Sequence, residues 1–170
     1  AQFYVALCYL TGEGTKLDLA KGAKWMTRAA DNALPRAVHR MSVLYANGWG
    51  VPEDTTKAYE YCLRAAELED PDAQCDMGLY YVRGEIVEQN YAEAVKWFRL
   101  SALQGDMEAQ YYLGFAYAVG DGVEQDYAEA VKWFNYAALQ GDLNAQAYLG
   151  MCYYEGLGVE QDYEKAIQYF

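Results

Sequence analysis

Basic residues are scarce in this chain. Thirteen lysines and arginines stand against 25 aspartates and glutamates, giving a formal net charge of −12 and a pI near 4.4. Such a chain repels phosphate backbones at long range, and nucleic acid binding draws its main favourable term from clustered Lys and Arg, so no nucleic acid partner is expected. Attraction to an anionic membrane surface fails for the same reason. No run of about 18 apolar residues occurs, so no membrane insertion is expected, and no secretory signal is visible. Histidine occurs once, as His39. No serine or cysteine nucleophile recurs around it, so no catalytic residue is assigned and His39 is read as an inner-face surface residue. Four cysteines are present without a Cys-x-x-Cys, which argues against zinc. Neither a metal nor a cofactor is expected.

The 170 residues are 54% hydrophobic and 16% aromatic, with 18 tyrosines and 15 glycines. That composition is globular, and so many glycines in a helical chain suggest regular breaks. Laid out in steps of 36, the sequence falls into columns without insertion or deletion. One column reads Ala1, Ala37, Ala73, Ala109, Ala145. Others read Tyr9, Tyr45, Tyr81, Tyr117, Tyr153; then Gly12, Gly48, Gly84, Gly120, Gly156; then Asp18, Asp54, Asn90, Asp126, Asp162. The units are 1–36, 37–72, 73–108, 109–144 and a truncated 145–170.

Each unit reads as two helices. Asp70-Pro71 is an N-cap followed by proline at the first helical position, and Asp106 and Asp142 share the Asp70 column. The first helix ends at the glycine column, where positive φ costs little. A short loop follows, and the Asp/Asn column caps the second helix. Asn90 with Glu93 and Asp126 with Glu129 have capping-box spacing. The buried stripe of the fourth unit is expected to be Leu113, Ala116 and Tyr117 on the first helix and Ala130, Trp133, Phe134, Ala137 and Ala138 on the second. Small residues at Gly78, Gly114 and Gly150 let antiparallel helices approach closely. A single hairpin cannot bury both its faces, so stacking of units is required.

The runs Ala109 to Asp142 and Ala145 to Tyr163 closely resemble the Sel1-like repeat, a relative of the tetratricopeptide repeat, and the resemblance covers the whole chain. It implies an all-α fold: a right-handed α-α superhelix, or solenoid, of about five 36-residue helix-turn-helix repeats. It also implies a scaffold or adaptor, typically in bacterial signalling, envelope or host-interaction systems. Departures are Ile86 in place of the second loop glycine, which predicts a different turn there, Thr15 and Leu17 in the first loop, and Ala33 and Glu69 where Gly105 and Gly141 end their helices. A cysteine-rich branch of the family carries a disulfide in each unit; the matching positions here are Ala or Ser, so that framework is absent. Cys62 and Cys75 are the one pair that could lie level on adjacent helices, and free thiols are the alternative reading.

Two further features are read as structural. The Gly-x-Gly loops, such as Gly120-Asp121-Gly122, lack a following Gly-Lys-Ser/Thr and are turns rather than phosphate cradles. Asp121, Glu124 and Asp126 lack the alternation and distal Glu of an EF-hand.

By analogy with tetratricopeptide arrays, first helices line a concave groove through the third, seventh and tenth or eleventh positions of each unit. These positions include Leu7, Leu10, Val43, Cys75, Leu79 and Ala147. The candidate partner-binding residues among them are Phe3, His39, Asn47, Arg83, Tyr111, Phe115, Val119, Met151 and Tyr154. The groove is mostly apolar and aromatic and its chemistry varies from unit to unit, as expected of an interaction surface. The expected function is protein–protein interaction, with a peptide or partner protein in the groove. The alternatives are a structural repeat segment of a larger envelope or secreted protein, and an envelope-associated hydrolase. The chain starts at Ala1 and stops at Phe170 in mid-unit, and is expected to be a mature product or an excised piece. Self-association through open ends, and a bacterial cytoplasmic, periplasmic or secreted setting, complete the expectations.

Overall fold

The computed structural model describes residues 1–170. It contains ten α-helices and no strand: α1 Gln2–Thr11, α2 Leu19–Asp31, α3 Pro35–Asn47, α4 Thr55–Glu67, α5 Pro71–Arg83, α6 Tyr91–Leu103, α7 Met107–Val119, α8 Tyr127–Leu139, α9 Leu143–Glu155 and α10 Tyr163–Tyr169. The chain divides into two compact units, Ala1–Met77 and Gly78–Phe170. None of the helices is long and apolar enough to cross a membrane.

One backbone bond recurs in every hairpin. The N–H of the capping residue of the second helix donates to the carbonyl of the tyrosine column: Asp18 to Tyr9, Asp54 to Tyr45, Asn90 to Tyr81 and Asp126 to Tyr117 at 2.9 Å each, and Asp162 to Tyr153 at 2.8 Å. The same residues cap with their side chains. Asp18 and Asp54 accept from Lys21 and Lys57 N–H, and Asn90 accepts from Glu93 N–H. The expected capping box is therefore half made. The cap N–H is already spent on the tyrosine carbonyl, and Glu93 and Glu129 turn outward to Lys96 and Lys132 instead. First helices are capped as read, with Asp70, Asp106 and Asp142 accepting from Ala73, Ala109 and Ala145 N–H at 3.0, 2.7 and 2.6 Å.

A glutamine in the loop adds a second brace. Gln89, Gln125 and Gln161 donate to the carbonyls of Val82, Ala118 and Tyr154 at 2.7, 2.7 and 2.8 Å. Gln74, Gln110 and Gln146 donate back to Ala66, Ala102 and Ala138. All six carbonyls lie in the last turns of their helices, beyond the reach of intrahelical donors; those of Ala66, Ala102 and Ala138 also accept from the Glu69, Gly105 and Gly141 N–H groups.

Gly120 ends α7 at φ 85°, and Gly122 follows at φ 73° with no room for a side chain, because a Cβ there would collide with the Tyr91 backbone. Ile86, in the same column as Gly122, has no positive φ, so the third loop takes the different turn its sequence predicts. Ala33 and Glu69 behave otherwise. They keep the left-handed conformation of the Gly105 and Gly141 column, at φ 53° and 63°, which strains a residue with a Cβ.

The core follows the columns. Leu113, Ala116, Tyr117, Ala130, Trp133, Phe134 and Ala137 are buried, Val131 joins them, and Ala138 is half-buried. Within the hairpins, Gly78, Gly114 and Gly150 face Phe98, Phe134 and Phe170. A Cβ on Gly114 would lie 2.8 Å from the Phe134 ring, and one on Gly150 2.9 Å from Phe170. The same two columns hold Ala6 with Met26 and Ser42 with Cys62, so bulk on one side trades against bulk on the other.

Two substitutions test this packing with opposite signs. Gly114→Ala gains about 1 kcal/mol of helix propensity but overpacks a fully buried ring, and is expected to destabilise by about 1–2 kcal/mol net. Pairing it with Phe134→Met, the Ala6/Met26 combination, should recover part of that loss in urea unfolding. Glu69→Gly relieves left-handed strain and is expected to stabilise by about 1 kcal/mol, raising Tm by roughly 2–4 °C.

Candidate partner-binding surface

All nine predicted groove residues lie on the first helices of their hairpins, α1, α3, α5, α7 and α9. Phe3, His39, Tyr111, Phe115 and Met151 are half-buried, and Asn47, Arg83, Val119 and Tyr154 are exposed. Cys75, read at a groove position, corrects the sequence reading: it is 3% exposed and belongs to the core. Asn47 turns its amide onto the Val43 carbonyl of its own helix at 2.8 Å. Phe3 packs edge-on against Tyr4 with ring centres 5.6 Å apart.

In the compact unit Gly78–Phe170 two of the nine come together. The Tyr111 and Phe115 rings lie 6.4 Å apart, and both contact Tyr148, at 6.1 and 5.7 Å. Tyr148 stacks on Phe134 at 5.1 Å, and Tyr112 stacks on Phe98 at 5.2 Å. This continuous aromatic cluster fixes α7 against α8 and α9 and leaves the Tyr111 and Phe115 rings half-buried. Burial, helped by neighbouring Tyr148 and Tyr112, pushes the Tyr111 phenol above its ordinary pKa and keeps it neutral. Tyr154 is not part of the cluster; its ring meets Tyr163 at 5.4 Å.

Beside Tyr111 and Phe115 an apolar pocket of about 170 Å³ opens, lined chiefly by Leu79, Val82, Phe98 and Tyr112, with Asp121 its one charged lining residue. The fourth column, Tyr4, Arg40, Asp76, Tyr112, Tyr148, was not among the predicted groove positions. Its two successive tyrosines were the available signal. Apolar exposure beyond the first helices also escaped the sequence reading: Leu139 and Leu143, at the α8–α9 turn, are 85% and 76% exposed.

In the compact unit Ala1–Met77 the corresponding columns hold charge. His39 Nε2 lies 2.9 Å from Asp76 Oδ2, and Nδ1 lies 3.6 Å from Asp70 Oδ1. Asp70 is 3% exposed. Burial disfavours the imidazolium, but the Asp76 hydrogen bond and the charges of Asp76, Asp70 and Asp72 outweigh it and raise the His39 pKa above 6.5. The cysteines carry no disulfide. Cys62, which donates to the Ala73 carbonyl at 3.4 Å, is pushed well above the ordinary thiol pKa by burial, with Asp76 and Asp70 adding to it.

The Sel1 repeat family model matches residues 1–34, 35–70, 71–106, 108–142 and 143–170. A Sel1 repeat protein from Oxalobacter formigenes is 36% identical, with a TM-score of 0.92 over 99% of this chain and 69% of its own. A protective antigen of uropathogenic Escherichia coli strains, displaying an SLR fold, is 38% identical with a TM-score of 0.92 over 99% of this chain and 36% of its own. An immunity protein from Pseudomonas aeruginosa shares the fold at 23% identity and a TM-score of 0.62, over 99% of this chain and 62% of its own. No curated protein matches the chain. The chain belongs to the Sel1 repeat family and has its α-α solenoid fold class. Sel1 repeat proteins are generally protein-interaction scaffolds, and the fold is typically non-catalytic.

The His39 cluster makes stability depend on pH in a defined direction. A raised folded-state pKa gives stability that is fully present below pH 6.5 and is lost as pH rises through the folded value. In buffer with EDTA, the wild-type urea midpoint should fall between pH 6 and pH 8 by more than that of His39→Gln. Equal pH slopes would show that the imidazolium is not stabilised by these carboxylates.

Proposed function

We propose that this chain is a non-catalytic interaction module whose first helices carry the binding surface, with Tyr111, Phe115 and the adjoining pocket receiving an apolar anchor side chain of a peptide or partner protein. The observation that carries this reading is the pocket itself: about 170 Å³, apolar, and bordered by half-buried aromatic rings. Apolar cavities of roughly 150 Å³ accept a benzene ring, so the space suits one aromatic or branched side chain. Aromatic residues around a desolvated pocket have the composition of interface hot spots. Within the unit Gly78–Phe170, exposed Val119 and Tyr154 and half-buried Met151 add apolar side chains on α7 and α9. The net charge of −12 favours a neutral or basic partner.

Selection of displayed peptides against the wild-type chain should enrich sequences with an aromatic or branched anchor. Phe115→Glu and Tyr111→Glu, checked for helicity by circular dichroism, should each weaken the selected peptides about 30-fold or more, the effect of losing a hot spot of about 2 kcal/mol. Phe115→Ser provides a milder variant should either charge prevent folding. Undiminished binding to folded variants would place the working surface elsewhere, with the exposed leucines at the α8–α9 turn the next to examine.

A further inference from the structure

We infer that His39, Asp70 and Asp72 form a binding site for a divalent transition-metal ion of the Zn²⁺ class, with Asp76 as the residue that positions the imidazole. The three residues each offer a ligand atom, and these atoms lie within 4.8 Å of one another. The His39 Nδ1 to Asp70 Oδ1 separation of 3.6 Å is too long for a hydrogen bond. It is close to the roughly 3.3–3.4 Å between two atoms that each sit about 2.0–2.1 Å from one tetrahedral zinc ion.

The far side of the ring supports the same assignment. Asp76 Oδ2 lies 2.9 Å from Nε2. A carboxylate that accepts the second ring N–H is the partner found behind metal-ligating histidines. With the proton on Nε2, the Nδ1 lone pair is left beside Asp70. Asp70 is almost wholly buried; its Oδ1 accepts the Ala73 N–H as the cap of α5 and also lies beside His39 Nδ1. Asp72 is exposed and gives an ion access from solvent, where water completes the shell. One imidazole nitrogen and two carboxylates suit zinc better than calcium or magnesium, which favour all-oxygen shells. The site joins α3 to the start of α5, so an ion there would tie the two helices together.

His39 is the sole histidine, so its nitrogen resonances report this site alone. Zn²⁺ is titrated into protein with ¹⁵N-labelled histidine at pH 7.5, in a Cys8→Ser background that removes the exposed thiol. The expected result is a saturable one-to-one change at His39 Nδ1 rather than Nε2. By calorimetry, Asp72→Asn should weaken Zn²⁺ binding at least 10-fold and Asp76→Asn by roughly 10–100-fold. Asp70→Asn, which keeps an N-cap side chain, should also weaken it at least 10-fold. Asp72 is exposed, so its variant is expected to remain folded. An unmoved His39 Nδ1 in excess Zn²⁺, or an affinity within two-fold of wild type in folded Asp72→Asn, overturns the assignment.

Discussion

Each hairpin depends on how closely its two helices approach. In three of them a glycine on the first helix meets a phenylalanine ring on the second: Gly78 with Phe98, Gly114 with Phe134, Gly150 with Phe170. The glycine costs about 1 kcal/mol of helix propensity, and the ring recovers it by burying a large apolar surface where a Cβ would otherwise stand. The recurring bond from the capping residue to the tyrosine carbonyl then sets where the second helix begins. Because the seam inside a hairpin is this thin, Phe134 can also stack on Tyr148 of α9. One ring thereby serves both the hairpin and its neighbour, which is how a fold of small units obtains a continuous core.

The acidic composition has a local explanation in the same geometry. Asp or Asn caps α2, α4, α6, α7, α8, α9 and α10, and a carboxylate there satisfies N–H groups and complements the helix dipole. Lysines at the first turns of second helices pair with those acids, as Lys21 does with Asp18 and Lys165 with Asp162. Such exposed pairs contribute little to stability. Lys21, Lys57 and Lys165 also lie over Tyr9, Tyr45 and Tyr153, at 5.7, 5.3 and 5.2 Å. Five of the chain's 13 lysines and arginines are thus held beside its own helix starts.

Much of the fold was legible because it is written in columns. Caps, glycine stops, small-to-large seams and the altered loop at Ile86 each follow from one residue in a known local role. What the columns concealed were contacts made between different columns or decided by competition. The capping boxes at Asn90 and Asp126 are half made because the cap N–H had a better acceptor. Ala33 and Glu69 were visible as departures, but whether the backbone would yield or hold at positive φ depends on the surrounding hairpin. Cys75 occupies a groove position by count and a core position by packing. Tyr112 and Tyr148 were outside the predicted set because the analogy used to place the groove skipped the fourth column.

His39 and Asp76 illustrate the same limit and its resolution. They are 37 residues apart, one full unit plus one, a spacing without meaning until helices of adjacent hairpins are stacked. Tyr111 and Tyr148 stand at the same separation and meet in the same way, with ring centres 6.1 Å apart. Two columns therefore create one recurring place on the first helices. Filled with aromatic rings, that place adjoins an apolar pocket; filled with imidazole and carboxylate, it becomes a charged cluster around a buried aspartate. The fold determines where this place falls, and the residue pair in those two columns determines its chemistry, so a repeat array can change function at one unit without disturbing the seam that holds its hairpins closed.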